Sequence, residues 1–151
     1  MPKPITPIFQ IQNLTLSFPA KNLTLFHNLD FCVHEGDFVL ICGTNGSGKS
    51  TLARLLTGSL DDTSHLQIQG KALYRGKEIP SLDRRYLCSK IGAIWQNPYA
   101  QSLASSVELE IAFTLENLGL PPEKIRRRVA EIAAIFGLEN LLEKNPRKLS
   151  G

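Results

Sequence analysis

The stretch Gly43-Thr44-Asn45-Gly46-Ser47-Gly48-Lys49-Ser50-Thr51 brings together the groups that grip a polyphosphate. Its glycines leave main-chain N–H groups free to curve around phosphate oxygens, where side chains would block the approach. Lys49 adds a point charge and Ser50 a hydroxyl suited to Mg²⁺. A helix beginning at this point would turn its N-terminal N–H groups, and the positive end of its dipole, toward the same anion. The spacing fits G-x-x-x-x-G-K-[ST], and all three devices converge on one ligand, a triphosphate with its metal. A glycine-rich surface turn that carries a lysine would give the same letters, so the flanks must decide.

The flanks are those of a strand, loop and helix. Phe38-Val39-Leu40-Ile41 is a short continuous apolar run, expected as a strand buried on both faces. After the loop, Leu52, Leu55 and Leu56 recur at helical spacing from Ser50 onward. Upstream, Leu14, Leu16 and Phe18 alternate with Thr15 and Ser17 as in a half-buried strand that Pro19 ends, and a second strand is expected over residues 29–33. Downstream, Gly58 and Asp61-Asp62-Thr63-Ser64 read as a connector. Short antiparallel strands are then expected at 66–69, 72–74 and 77–79, around Gly70 and Arg75-Gly76. Ser81 is expected to cap a helix running to Cys88, and Ile91-Gly92-Ala93-Ile94-Trp95 is a further run of strand length, broken by Gln96-Asn97-Pro98. Beyond it the pattern is helical. Ser106 caps one helix that Gly119 stops, and Pro122 opens another that Gly137 terminates.

Bulk properties narrow the class. A chain of 151 residues with 42% hydrophobic content has room for a real core. A net charge of +3 does not by itself imply a nucleic-acid partner. Cys32, Cys42 and Cys88 form no C-x-x-C pair, and His27, His34 and His65 lack ligand spacing, which argues against a disulfide framework and a zinc site. Met1-Pro2-Lys3-Pro4 opens no signal peptide, and no window approaches the roughly 18 apolar residues of a membrane span. A membrane role would therefore come through a partner. Arg126-Arg127-Arg128 fans around its helix with no interleaved aromatics, as a solvated face does.

The phosphate loop, Ile94-Trp95-Gln96-Asn97-Pro98 and Leu149-Ser150-Gly151 occur in the order seen in ATP-binding cassette ATPases, and together they resemble that family. Glu116-Asn117-Leu118-Gly119-Leu120-Pro121 with Ile125-Arg126-Arg127-Arg128-Val129 is similar to the ATPase subunits of energy-coupling-factor importers for cobalt, nickel and vitamins. The resemblance implies an α/β fold: a P-loop NTPase core with an antiparallel β layer over residues 1–97 and a helical subdomain over 98–151, the C-terminal part of the core missing. It implies ATP and Mg²⁺ as cofactors, with residues 43–51 holding the nucleotide. Gln96, with Ser50, would approach the metal and the attacking water, since a carboxamide both accepts and donates. Phe18 matches the aromatic that stacks on adenine; its ring face suffices for stacking, though its parity with Leu14 and Leu16 suits core packing equally. Tyr99-Ala100-Gln101 departs from the family, where acidic residues commonly follow.

The same resemblance implies transmembrane transporter subunits and a second ATPase subunit or complementary chain fragment as partners, at the inner face of the cell membrane, with no nucleic acid and no span of its own. Leu149-Ser150-Gly151 stops inside the signature, and no apolar strand ending in an Asp-Glu pair follows the helices. That pair would position metal and water for phosphoryl transfer. By itself the chain is therefore expected to bind ATP weakly or not at all, and not to hydrolyse it usefully. Alternatives are a non-hydrolysing fragment, a soluble cassette ATPase acting on nucleic acid, and a small-molecule kinase sharing the loop.

Overall fold

In the computed structural model, residues 6–60, 65–97 and 101–149 are described. The expected connector Asp61-Asp62-Thr63-Ser64, the prolines Pro2, Pro4 and Pro98, Tyr99 and Ala100, and Ser150-Gly151 of the signature lie outside them. The chain divides into two units, Met1–Ile91 and Gly92–Gly151.

Four strands of the first unit, among the described residues, form one antiparallel sheet. These are β1 (Phe9–Phe18), β2 (Leu23–Val33), β3 (Gln67–Tyr74) and β4 (Lys77–Glu78), in the order β2-β1-β3-β4. The pairs expected at 66–69 and 72–74 are thus one continuous strand.

Central β1 carries a bulge that the alternation from Leu14 onward does not reveal. Register shifts between Ile11 and Leu14 on the β2 side and between Gln12 and Thr15 on the β3 side, and Asn13 adopts φ 48°, a left-handed conformation that Asn tolerates. Its N–H donates to Asp30 Oδ1 at 2.8 Å, while the N–H of Asn28, also left-handed, donates to Thr15 Oγ1 at 3.1 Å. Because of the extra residue, Ile11 and Leu14 both point into the core although they are three apart.

Helix α1 (Lys49–Leu56) lays Leu52 and Leu55 against that face of the sheet, in a cluster with Ile11, Leu14, Ala72, Tyr74, Ile79 and Leu87. Leu87 comes from α2 (Arg84–Lys90), whose cap differs from expectation. Ile79-Pro80-Ser81 closes a 3-10 turn in which Ser81 Oγ donates to the Glu78 carbonyl at 2.7 Å. The helix therefore starts later, and the Asp83 carboxylate accepts from the Tyr86 N–H at 3.0 Å.

The second unit contains α3 (Val107–Asn117) and α4 (Pro122–Phe136), packed together over Val107, Ala112, Val129 and Ala133. Both ends follow the local chemistry. Ser106 Oγ accepts from the Leu109 N–H at 3.3 Å, Pro122 opens α4, and Gly137 closes it at φ 65°. Arg126, Arg127 and Arg128 are solvated and paired with Glu123 and Glu131 on their own helix.

Two expected strands are absent. Residues 38–41 and 91–95 are irregular, with Phe38 94%, Leu40 77% and Ile94 92% exposed. Their composition suits a strand, but a strand exists only through its ladder. Among the described residues no neighbour pairs with either segment.

Candidate functional site

Residues 43–48 connect the exposed apolar run to α1, and the chain reverses there through positive φ at Gly46 (80°) and Gly48 (95°). Gly48 caps the helix with its carbonyl, which accepts from the Leu52 N–H at 2.8 Å. A side chain there would be strained by the positive φ and would have to displace the ring of Phe26, a β2 residue, since an added Cβ would lie 2.7 Å from its Cζ. The first turn of α1 contains no acidic residue, so the positive end of the helix is left for an anion.

Lys49 folds back over the loop. Its Nζ donates to the carbonyls of Gly43 at 2.7 Å and Thr44 at 2.8 Å, tying the loop's entry to its exit, and the Ser47 N–H donates to the Thr44 carbonyl at 3.3 Å. Both partners of the ammonium are neutral, and among the described residues it has no carboxylate partner. A full positive charge is thus held at the mouth of a loop of bare amides. Thr44, Asn45, Gly46, Ser47 and Ser50 are exposed there, while Thr51 is half-buried.

This donor set fits a magnesium-bound triphosphate. The amides and Lys49 are anion ligands, and the Ser50 hydroxyl is a hard oxygen of the kind Mg²⁺ takes. When bound, the metal supplies positive charge that offsets the crowding of negative phosphate oxygens.

Phe18 ends β1 opposite Leu23, half-buried, with the Lys21 ammonium 5.8 Å from its ring centroid. Gln96 belongs to the second unit and is exposed. Its segment is held from behind: the Gln101 carboxamide accepts from the Trp95 N–H at 3.1 Å and donates to the Ala93 carbonyl at 3.4 Å, taking the place of a strand neighbour.

Next along the chain, one oxygen of Glu110 accepts from Ser102 Oγ, Leu103 N–H and Ala104 N–H at 3.1, 3.1 and 2.9 Å. Arg147 donates to the Ser102 carbonyl at 2.6 Å. Gln101, Glu110 and Phe26 were not identifiable from spacing, because each acts on backbone distant in sequence or of unremarkable composition.

The family model described as ABC transporter matches residues 26–151. Over 134 residues the chain is 42% identical to the energy-coupling factor transporter ATP-binding protein EcfA1 of Mycoplasma pneumoniae, covering 89% of this chain and 47% of that protein. It is 37% identical over 145 residues to EcfA of Syntrophomonas wolfei, covering 95% of this chain and 51% of the relative. Among solved structures, CbiO1 of Clostridium perfringens, described as part of the ABC transporter complex cbiONQ, superposes with a TM-score of 0.75 at 27% identity, covering 96% of this chain and 56% of that one. The chain spans about half the length of the curated relatives it matches. Its loop, its antiparallel layer, its helical unit and this run of matches together place the chain in the ABC transporter family, among proteins similar to energy-coupling factor ATP-binding subunits.

Proposed function

We propose that the chain is the ATP-binding part of an importer ATPase, which couples nucleotide binding and hydrolysis to uptake of a metal ion or vitamin through transmembrane partners at the inner face of the membrane. The observation that carries this reading is Lys49 poised over the carbonyls of Gly43 and Thr44 at the start of α1, in a loop whose glycines leave the backbone bare. In this reading the loop amides of residues 43–49, with Thr51, and the Lys49 ammonium hold the phosphates, Ser50 and Gln96 lie on the metal side, and Phe18 offers its ring to the base. Gln96 orients water and reports nucleotide state to the membrane partners. Among the described residues no helix is long and apolar enough to cross a membrane, which is in keeping with action through such partners.

The exposure of Phe38 and Leu40 supports a further strand lying against residues 38–41, from a second ATPase subunit or a complementary chain fragment. Without the acidic pair that such a strand would bring, the chain alone binds Mg-ATP weakly and does not turn it over. A steady-state phosphate-release assay on the purified chain is expected to stay at background with and without Mg²⁺. Metal-dependent turnover that disappears in Lys49→Ala would show that the chain is catalytically sufficient and would overturn this part of the reading.

A further inference from the structure

Leu16 on β1 is fully buried, and its register partner on β2 is Phe26. The Phe26 side chain packs at the edge of the core cluster that holds Leu52 and Leu55 of α1. Its ring also reaches the phosphate loop: a Cβ built on Gly48 would lie 2.7 Å from Cζ and 3.1 Å from Cε1 of Phe26, and 3.5 Å from Cβ of Leu25. Among the described residues, the loop's polar bonds run within the loop, from Lys49 Nζ to Gly43 and Thr44 and from Ser47 to Thr44, or along the chain into α1, from the Leu52 N–H to Gly48. A loop closed mostly upon itself keeps its shape, but its height above the sheet must be set by something outside it. The ring of Phe26 stands at the one residue, Gly48, where loop becomes helix.

We propose that Phe26 is a positioning residue for the phosphate loop: its ring is the stop against which the Gly48 turn rests, so that it sets where the loop amides and the first turn of α1 meet a polyphosphate. This rests on the phosphate-binding reading of residues 43–51. Phe26 touches no ligand and acts through Gly48. A planar ring edge makes a better stop than an aliphatic chain, because it has one flat contact and few rotamers.

Two variants of the full chain test this. Phe26→Leu keeps an apolar side chain in the core but withdraws the ring edge from Gly48. Phe26→Tyr keeps the ring and adds an oxygen at Cζ, the atom that faces the glycine. The first readout needs no nucleotide. Amide exchange at Ser47 and Leu52, whose N–H groups bond to Thr44 and Gly48, should quicken several-fold in both variants, while the β1–β3 ladder keeps its rates.

The second readout is affinity for inorganic tripolyphosphate and for Mg-ATP. Both should weaken by about fivefold, the size expected when hydrogen bonds to a charged ligand lose alignment. Equal loss for the two ligands places the effect at the phosphate cradle rather than at the base. Unchanged exchange at Ser47 and Leu52 would overturn the proposal, as would affinity lost for ATP but kept for tripolyphosphate. If the parent chain takes up neither ligand, the phosphate-binding reading fails, and the exchange rates still decide whether Phe26 braces the loop.

Discussion

Replacing Lys49 by alanine is expected to lower affinity for Mg-ATP at least about tenfold while leaving the melting temperature nearly unchanged. Hydrogen bonds to charged groups contribute about 1.5–3 kcal/mol each, and about 1.4 kcal/mol corresponds to tenfold in affinity. Losing the ammonium therefore removes a large share of what a weakly binding loop has. Stability responds differently. The carbonyls that Lys49 engages, those of Gly43 and Thr44, belong to exposed residues, so water replaces the ammonium once it is gone. Surface changes of this kind shift folding by no more than about 0.5 kcal/mol. Titration at millimolar nucleotide, followed by ligand-observed NMR and paired with a thermal melt, separates the two quantities. Equal affinity in Lys49→Ala and the parent would remove the lysine from the site.

Gly70→Ala is expected to have the largest effect on folding. Gly70 sits on β3 across from the β1 bulge at φ 87°, and an added Cβ would lie 2.3 Å from the Asn13 carbonyl oxygen and 2.5 Å from that of Gln12. Both obstacles are backbone, held by the bulge and by the bond from Asn13 to Asp30, so neither can rotate aside. A left-handed alanine costs about 1–3 kcal/mol, and overpacking adds about 1–3 kcal/mol more. Urea unfolding should show a loss of about 3 kcal/mol or more, a large part of the roughly 5–15 kcal/mol that holds a typical domain together. Gly76→Ala is the control. Gly76 has a similar φ of 77°, but nothing lies within 4 Å of the added carbon, so only the backbone cost remains. Equal losses at the two positions would mean that the bulge gives way and does not hold the sheet's register.

These two glycines illustrate what the sequence makes legible. Signals that act within one turn of chain were readable. Ser106 caps α3 and Gly137 closes α4 through bonds to residues a few positions away, Pro122 opens α4 through its fixed φ, and the phosphate loop declares itself by composition. Signals that depend on a distant partner were not. Gly70 reads as a turn between strands, yet it lies inside one, because the bulge opposite it, more than fifty residues earlier in the chain, needs the room.

The apolar runs at 38–41 and 91–95 have the composition of buried strands, but ladder bonds come from neighbouring strands, and among the described residues no strand pairs with either run, so Phe38, Leu40 and Ile94 stay exposed. At α2 the expected cap, Ser81, is not the one the helix uses. A proline-led 3-10 turn took Ser81 and left Asp83 to start the helix. Phe26 gave no signal at all: it precedes the strand expected over 29–33, and a lone apolar residue does not show what its ring will pack against.

Central to the account is that the loop amides, Lys49 and Ser50 hold the phosphates of Mg-ATP. The most direct measurement is the set of backbone amide shifts of residues 43–51 during titration of the chain with Mg-ATP and, in parallel, with adenosine. The account predicts saturable shifts centred on Gly46, Gly48 and Lys49 with the triphosphate, and none at those positions with the nucleoside. Saturable ATP binding that leaves these amides unmoved, or that moves them equally with adenosine, would contradict it.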